Sequence, residues 1–123
     1  AYRRQRQMCI RDRFVNVRTD TFLLNVPNAL DETLYRGQLY ANHGGCGFFV
    51  PCVTRAEDII AIVHHVPLPL NVMCMPELAD FSTLSTLGVK RISMGNFIYA
   101  ATQARLKDLL CQVQTQHSFS GVF

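Results

Sequence analysis

At 123 residues the chain has room for one domain but not for a closed (β/α)8 barrel, which takes about 250. A hydrophobic share of 49% against 17% charged residues excludes a disordered chain and implies a sizeable core. The net charge of +3 gathers at one end, since Arg3, Arg4, Arg6, Arg11 and Arg13 all fall in the first thirteen residues, and what remains lacks the basic face that nucleic-acid binding needs.

That opening stretch, AYRRQRQMCIRDR, shows neither strand alternation nor a helical apolar stripe. Residues 1–13 are therefore expected to be an extraneous or disordered tail, and MCIRDR resembles a translated sequencing-adapter remnant. Residues 14–123 form the domain. The first strand is expected at FVNV, Phe14 to Val17, and a helix from Ala29 to about His43 follows, with Leu30, Leu34 and Ala41 near one face. Gly44-Gly45 ends it, because glycine accepts the left-handed conformation of a helix terminus.

GFFV, Gly47 to Val50, reads as the second strand. Thr54 and Glu57 match a capping box for the helix behind it, which carries Ile59, Ile60, Ile62, Val63 and Val66. Pro67 and Pro69 punctuate before the third strand, LNVMC, Leu70 to Cys74. Asp80 suits the N-cap of a short helix, Phe81 to Leu87, closed by Gly88. KRISM, Lys90 to Met94, is the fourth strand. The last helix runs from Phe97 to about Gln114, with Phe97, Ala101, Ala104 and Val113 as its buried candidates.

Strands that alternate with helices predict an α/β fold with parallel strands. The runs are apolar without strict alternation, as in strands covered on both faces. A small doubly wound sheet and half of a closed barrel both fit this spacing. No GxGxxG follows the first strand, so a dinucleotide site is poorly supported. The five cysteines, Cys9, Cys46, Cys52, Cys74 and Cys111, form no CxxC and pair with no histidine at zinc spacing. They read as free thiols of a reducing compartment, here the cytoplasm. No apolar run approaches the ~20 residues of a membrane span.

Four motifs in order decide between the two architectures. VRTDTFLL, Val17 to Leu24, is similar to the segment that ends the fifth barrel strand in 2-methylisocitrate lyase-like members of the isocitrate lyase / phosphoenolpyruvate mutase family. GFFVPCVTRAEDI, LPLNVMCMP and LGVKRISMGN resemble strands six, seven and eight. The resemblance implies the C-terminal half, about four βα units, of a (β/α)8 TIM-type barrel. It also implies a lyase or mutase that acts on a small α-oxo or α-hydroxy acid through an enolate-type intermediate. Mg²⁺ is the implied cofactor, with its ligands outside this chain, and a homo-oligomer is the implied assembly. A fragment of this kind is expected to be inactive alone.

The substrate-binding candidates are Arg18, whose guanidinium can grip a carboxylate bidentately at a strand's C-terminal end, and Asn71, whose amide can hydrogen-bond one. The bland alternatives are an Arg18–Asp20 pair kept for structure and a buried amide satisfied by the barrel wall. Cys52 stands where related lyases carry a glutamate and reads as a packing cysteine, with pocket lining as the alternative, while Met73, Cys74 and Met75 replace more polar residues and imply a more apolar pocket and a different substrate. Gly95 and Asn96 are further pocket candidates, as a loop-to-helix start that barrels use for anions. His64 and His65 read as solvated residues at a helix end. A different class of function also fits: a non-catalytic half-barrel that self-associates or binds a partner through open sheet edges and an apolar inner face.

Overall fold

The computed structural model describes residues 13–123, so the tail assignment for residues 1–13 lies almost wholly outside the described residues. The described chain divides into two compact units, one ending at Ser93 and the other spanning Met94–Phe123.

The first unit holds β1 (Asn16–Arg18), α1 (Ala29–Asn42), β2 (Gly47–Val50), α2 (Ala56–His65), β3 (Leu70–Met73), α3 (Phe81–Thr86) and β4 (Arg91–Ser93). The strands form one sheet in the order β1-β2-β3-β4, and every neighbouring pair is parallel. This order removes the ambiguity left by the spacing. A doubly wound sheet reverses its strand order at a switch point, whereas here each strand lies beside the next in sequence, as in a barrel wall.

Strand alternation sorts the side chains onto two faces. Phe48 and Val50 of β2 and Leu70 and Val72 of β3 join Ile59 and Ile62 of α2, Leu84 of α3, Val53 and Val66 in one buried cluster. Each is at most 2% exposed. Burying such a side chain contributes about 1.5–3 kcal/mol, so this helix-covered face is the core that holds the sheet in place. The intervening residues turn to the other face. That face was expected to be apolar and is not: β1 and β4 contribute Arg18, Arg91 and Ser93, and β3 contributes Asn71 between them. Apolar residues are present there as Phe49 and Met73, but polar groups dominate.

The local signals hold with two corrections. β2 spans Gly47–Val50 as expected, whereas β1 runs Asn16–Arg18 instead of starting at Phe14, β3 stops at Met73, one residue early, and β4 is confined to Arg91–Ser93. The Thr54–Glu57 capping box does not form: α2 begins at Ala56, so Glu57 falls at the second helical position rather than the third. Glu57 instead lies 3.6 Å from Arg55. It and Asp58 still place negative charge in the first turn, where the helix dipole favours it.

Asp80 does cap α3, its carboxylate accepting from the Thr83 backbone N–H at 2.8 Å. That hydrogen bond, given to the ionised form, holds the Asp80 pKa below its ordinary value of 3.8. A folded-state pKa below the unfolded one means the cap's stabilisation is present above about pH 4 and is lost as pH falls through the lowered value. Asp80→Asn removes that titration. Melting temperature followed against pH is expected to fall less steeply below pH 4 in the variant than in the parent, and identical acid limbs would contradict the assignment.

The second unit contains α4 (Phe97–Gln116). None of its residues is buried, which corrects the expectation for Phe97, Ala101, Ala104 and Val113. Ile98, Tyr99, Leu106 and Leu110 are among its exposed side chains. Among the described residues no helix is long and apolar enough to cross a membrane.

Candidate functional site

Arg18 is the last residue of β1 and stands in register with Phe49 on β2. Its guanidinium carbon lies 5.7 Å from the Phe49 ring centroid, within the range where an aromatic face attracts a cation. On the other side, Nε donates to Asp20 Oδ1 at 2.5 Å. The aromatic face and the carboxylate together aim the guanidinium. Asp20 takes only Nε, which leaves the two terminal Nη groups able to chelate a carboxylate end-on.

The loop that carries Asp20 is pinned from below. Thr19 N–H donates to the Phe49 carbonyl at 3.0 Å, extending the ladder one residue beyond β1. Thr33 Oγ1 donates to the Ala29 carbonyl at 2.6 Å and therefore accepts from Thr21 Oγ1, 2.5 Å away in the interior. This chain of hydroxyls ties the residues after Arg18 to the first turns of α1. The buried Thr19 hydroxyl has no hydrogen-bond partner among the described residues.

Asn71 lies two strands away, in register with Phe49 on one side and Arg91 on the other. It is 2% exposed. Its amide meets a single hydroxyl: Ser93 Oγ is 2.9 Å from Nδ2 and 3.0 Å from Oδ1. The register thus strings Arg18, Phe49 and Asn71 along one line of the sheet, with Ser93 against Asn71.

Of the remaining candidates, Met73 shares the sheet face of Arg18 and Asn71, and the others lie in loops beyond the strand ends. Cys52 follows β2 with φ of 65°, a left-handed conformation that costs a residue with a Cβ about 1–2 kcal/mol. Its thiol is half-buried and free, as is that of Cys74. Met73 ends β3 in register with Ser93, and the Cys74 N–H donates to the Ser93 carbonyl at 2.7 Å. Gly95, with φ of 57°, and Asn96 belong to the second unit and precede α4, both exposed.

Two contributors were not singled out from the sequence: Phe49 as the platform under Arg18, and the side chain of Ser93. The signal for both was present. Asn16 and Arg18, Gly47 and Phe49, Asn71 and Met73, and Arg91 and Ser93 are pairs at i and i+2, the period of a strand face.

Among the described residues no group of three or more His, Cys, Asp or Glu could hold a metal ion. Asp20, the carboxylate beside Arg18, is already committed to that guanidinium. The residues present therefore do not fit the implied Mg²⁺. A groove of about 380 Å³ beside α3 and β4, lined by residues including Phe81, Leu84, Val89, Lys90 and Ile92, contains neither Arg18 nor Asn71. It sits at the open side of β4 rather than at the site.

Residues 1–114 match the family model described as phosphoenolpyruvate phosphomutase. Two Mycobacterium tuberculosis proteins, uncharacterized protein MT2054 of strain CDC 1551 / Oshkosh and uncharacterized protein Rv1998c of strain ATCC 25618 / H37Rv, are each 33% identical over 88 residues. The match takes in 72% of this chain and 34% of each relative, so the chain spans about a third of their length. Among solved structures, a Burkholderia cenocepacia J2315 protein described as a candidate phosphonomutase superposes with a TM-score of 0.75 at 36% identity, over 81% of this chain and 42% of that one. A candidate lyase/mutase from the same organism shares the fold, with a TM-score of 0.79 at 24% identity over 93% of this chain and 42% of that one. Four parallel strands in sequential order, the matched family model and the phosphonomutase-like neighbour agree: the chain belongs to the phosphoenolpyruvate phosphomutase family.

Proposed function

We propose that this chain forms the substrate-gripping wall of a carbon–carbon or carbon–phosphorus bond lyase or mutase acting on a small α-oxo or α-hydroxy carboxylic acid. The observation that carries the reading is the aimed but half-free guanidinium of Arg18 at a strand's C-terminal end, the end at which barrel enzymes build their active sites. Arg18 would hold a substrate carboxylate through its Nη pair, and Asn71 would hydrogen-bond a second oxygen. Fixing both ends of a small acid orients the bond to be broken, and orientation is a large part of catalysis. The family resemblance implies Mg²⁺ to stabilise enolate charge. Its ligands would come from outside the described residues. The substitution at Cys52 and the apolar Met73 and Cys74 point to a substrate other than 2-methylisocitrate.

Assembly is a second part of the proposal. The apolar side chains on α4, Ile98, Tyr99, Leu106 and Leu110, support a homo-oligomer. The same exposure favours the alternative of a non-catalytic half-barrel that associates with itself or a partner.

Turnover separates the two readings. The intact gene product, in Mg²⁺ buffer, is offered phosphoenolpyruvate, phosphonopyruvate, oxaloacetate and 2-methylisocitrate, with ³¹P and ¹H spectra following each. Conversion of one of the first three is expected. Failure to convert any of the four would favour the non-catalytic reading.

A further inference from the structure

We propose that Ser93 is a positioning residue that sets the orientation of the Asn71 amide for substrate. The inference rests on the reading that Asn71 contacts a substrate carboxylate, and it assigns a role to a side chain on the neighbouring strand. The terminal torsion of asparagine is broad and roughly two-fold, so the backbone does not fix which way the amide faces. Asn71 is 2% exposed, and a buried amide left without partners costs about 1–3 kcal/mol. The group that meets it is the Ser93 hydroxyl, at 2.9 Å from Nδ2 and 3.0 Å from Oδ1.

A hydroxyl both donates and accepts, so Ser93 bridges Nδ2 and Oδ1 at once and holds the plane of the amide. It occupies one side of the amide and leaves one N–H of Nδ2 and one lone pair of Oδ1 for another partner. A carboxylate takes the N–H, and a substrate hydroxyl takes the lone pair. The placement is strand-borne at both ends, since Asn71 lies in β3 and Ser93 ends β4. Met73 and Ser93 are paired in register, which fixes the spacing between the two strands at this level. Without the hydroxyl, the amide turns freely and presents its donor in the right direction only part of the time.

The test is a double-mutant cycle in the intact gene product, read as the Kd for oxalate, a planar anion with two carboxylates, titrated calorimetrically in Mg²⁺ buffer. Ser93→Ala is expected to weaken oxalate binding about tenfold. In an Asn71→Ala background the same change is expected to cost less than about twofold, because Ser93 acts through Asn71. Ser93→Thr keeps the hydroxyl and is expected to stay within about threefold of the parent. Ser93→Cys, nearly isosteric and a weak hydrogen-bonder, replaces the alanine variant if that variant does not fold. Effects of the two sites that multiply would overturn the proposal, as would a threonine variant as weak as the alanine one at unchanged melting temperature. A tenfold loss at Asn71→Ala with none at Ser93→Ala would sink the positioning role alone. No loss at Asn71→Ala, or no oxalate binding by the parent, would remove the substrate role of Asn71 and the positioning role with it.

Discussion

Arg18→Ala in the intact gene product is expected to lower kcat/KM about 100-fold, roughly 2.7 kcal/mol of transition-state stabilisation, while shifting the melting temperature only slightly. The contrast decides between the two readings of this residue. A structural Arg18–Asp20 pair is 50% and 41% exposed at its two side chains, and exposed pairs contribute about 0–1 kcal/mol. A purely structural arginine would thus give a small stability loss and no specific kinetic defect. An arginine that grips the substrate gives the reverse. Arg18→Lys is not a conservative escape, since an ammonium cannot reproduce the two-pronged grip. Steady-state kinetics with the turned-over substrate, beside thermal melts of the same preparations, make the comparison. Unchanged kcat/KM would remove Arg18 from the site.

The largest expected effect on stability comes from Phe48→Ala, at about 3–5 kcal/mol. Phe48 is fully buried on the helix-covered face and meets Tyr40 of α1 edge-on, with ring centroids 6.1 Å apart. α1 approaches closely here because position 37 is glycine: a Cβ on Gly37 would lie 2.5 Å from Val66 Cγ2 and 3.0 Å from Phe48 Cε1. Packing this tight cannot collapse into the space left by a lost ring, which places the cost near the upper end of the range. Total stability is only about 5–15 kcal/mol, so the variant loses a large share of it. Urea unfolding of the intact gene product, compared at unchanged m-value, gives the difference. A loss under about 1 kcal/mol would mean that this face is not the core.

The order of elements was legible because each strand carries β-branched or aromatic residues and each of the first three helices ends at a glycine or proline. Gly44 and Gly88 indeed adopt positive φ, at 92° and 93°, and Asp80 caps where its spacing from the apolar run predicts. Thr54–Glu57 misled, since a matching pair of residue types does not say where the helix starts, and the chain enters α2 one residue later than the motif assumes. The polar inner face was missed for a different reason. Runs such as GFFV and LNVM look uniformly apolar because one face is all core, and the alternate positions hold only one polar residue each or none. It takes the register of four strands to see that Arg18, Asn71 and Ser93 share a surface. The exposure of α4 could not be read from its periodic leucines and alanines, because an apolar stripe states that a helix wants a partner and not where that partner is.

A crystal structure of the intact gene product with oxalate bound would show whether this face holds the substrate. One carboxylate is expected at hydrogen-bond distance, about 2.7–2.9 Å, from the Arg18 Nη groups, with Asn71 Nδ2 turned toward an oxalate oxygen and Ser93 still against its amide. Oxalate bound away from β1 and β3, with Arg18 engaged by Asp20 alone, would contradict the assignment of this face as the substrate site.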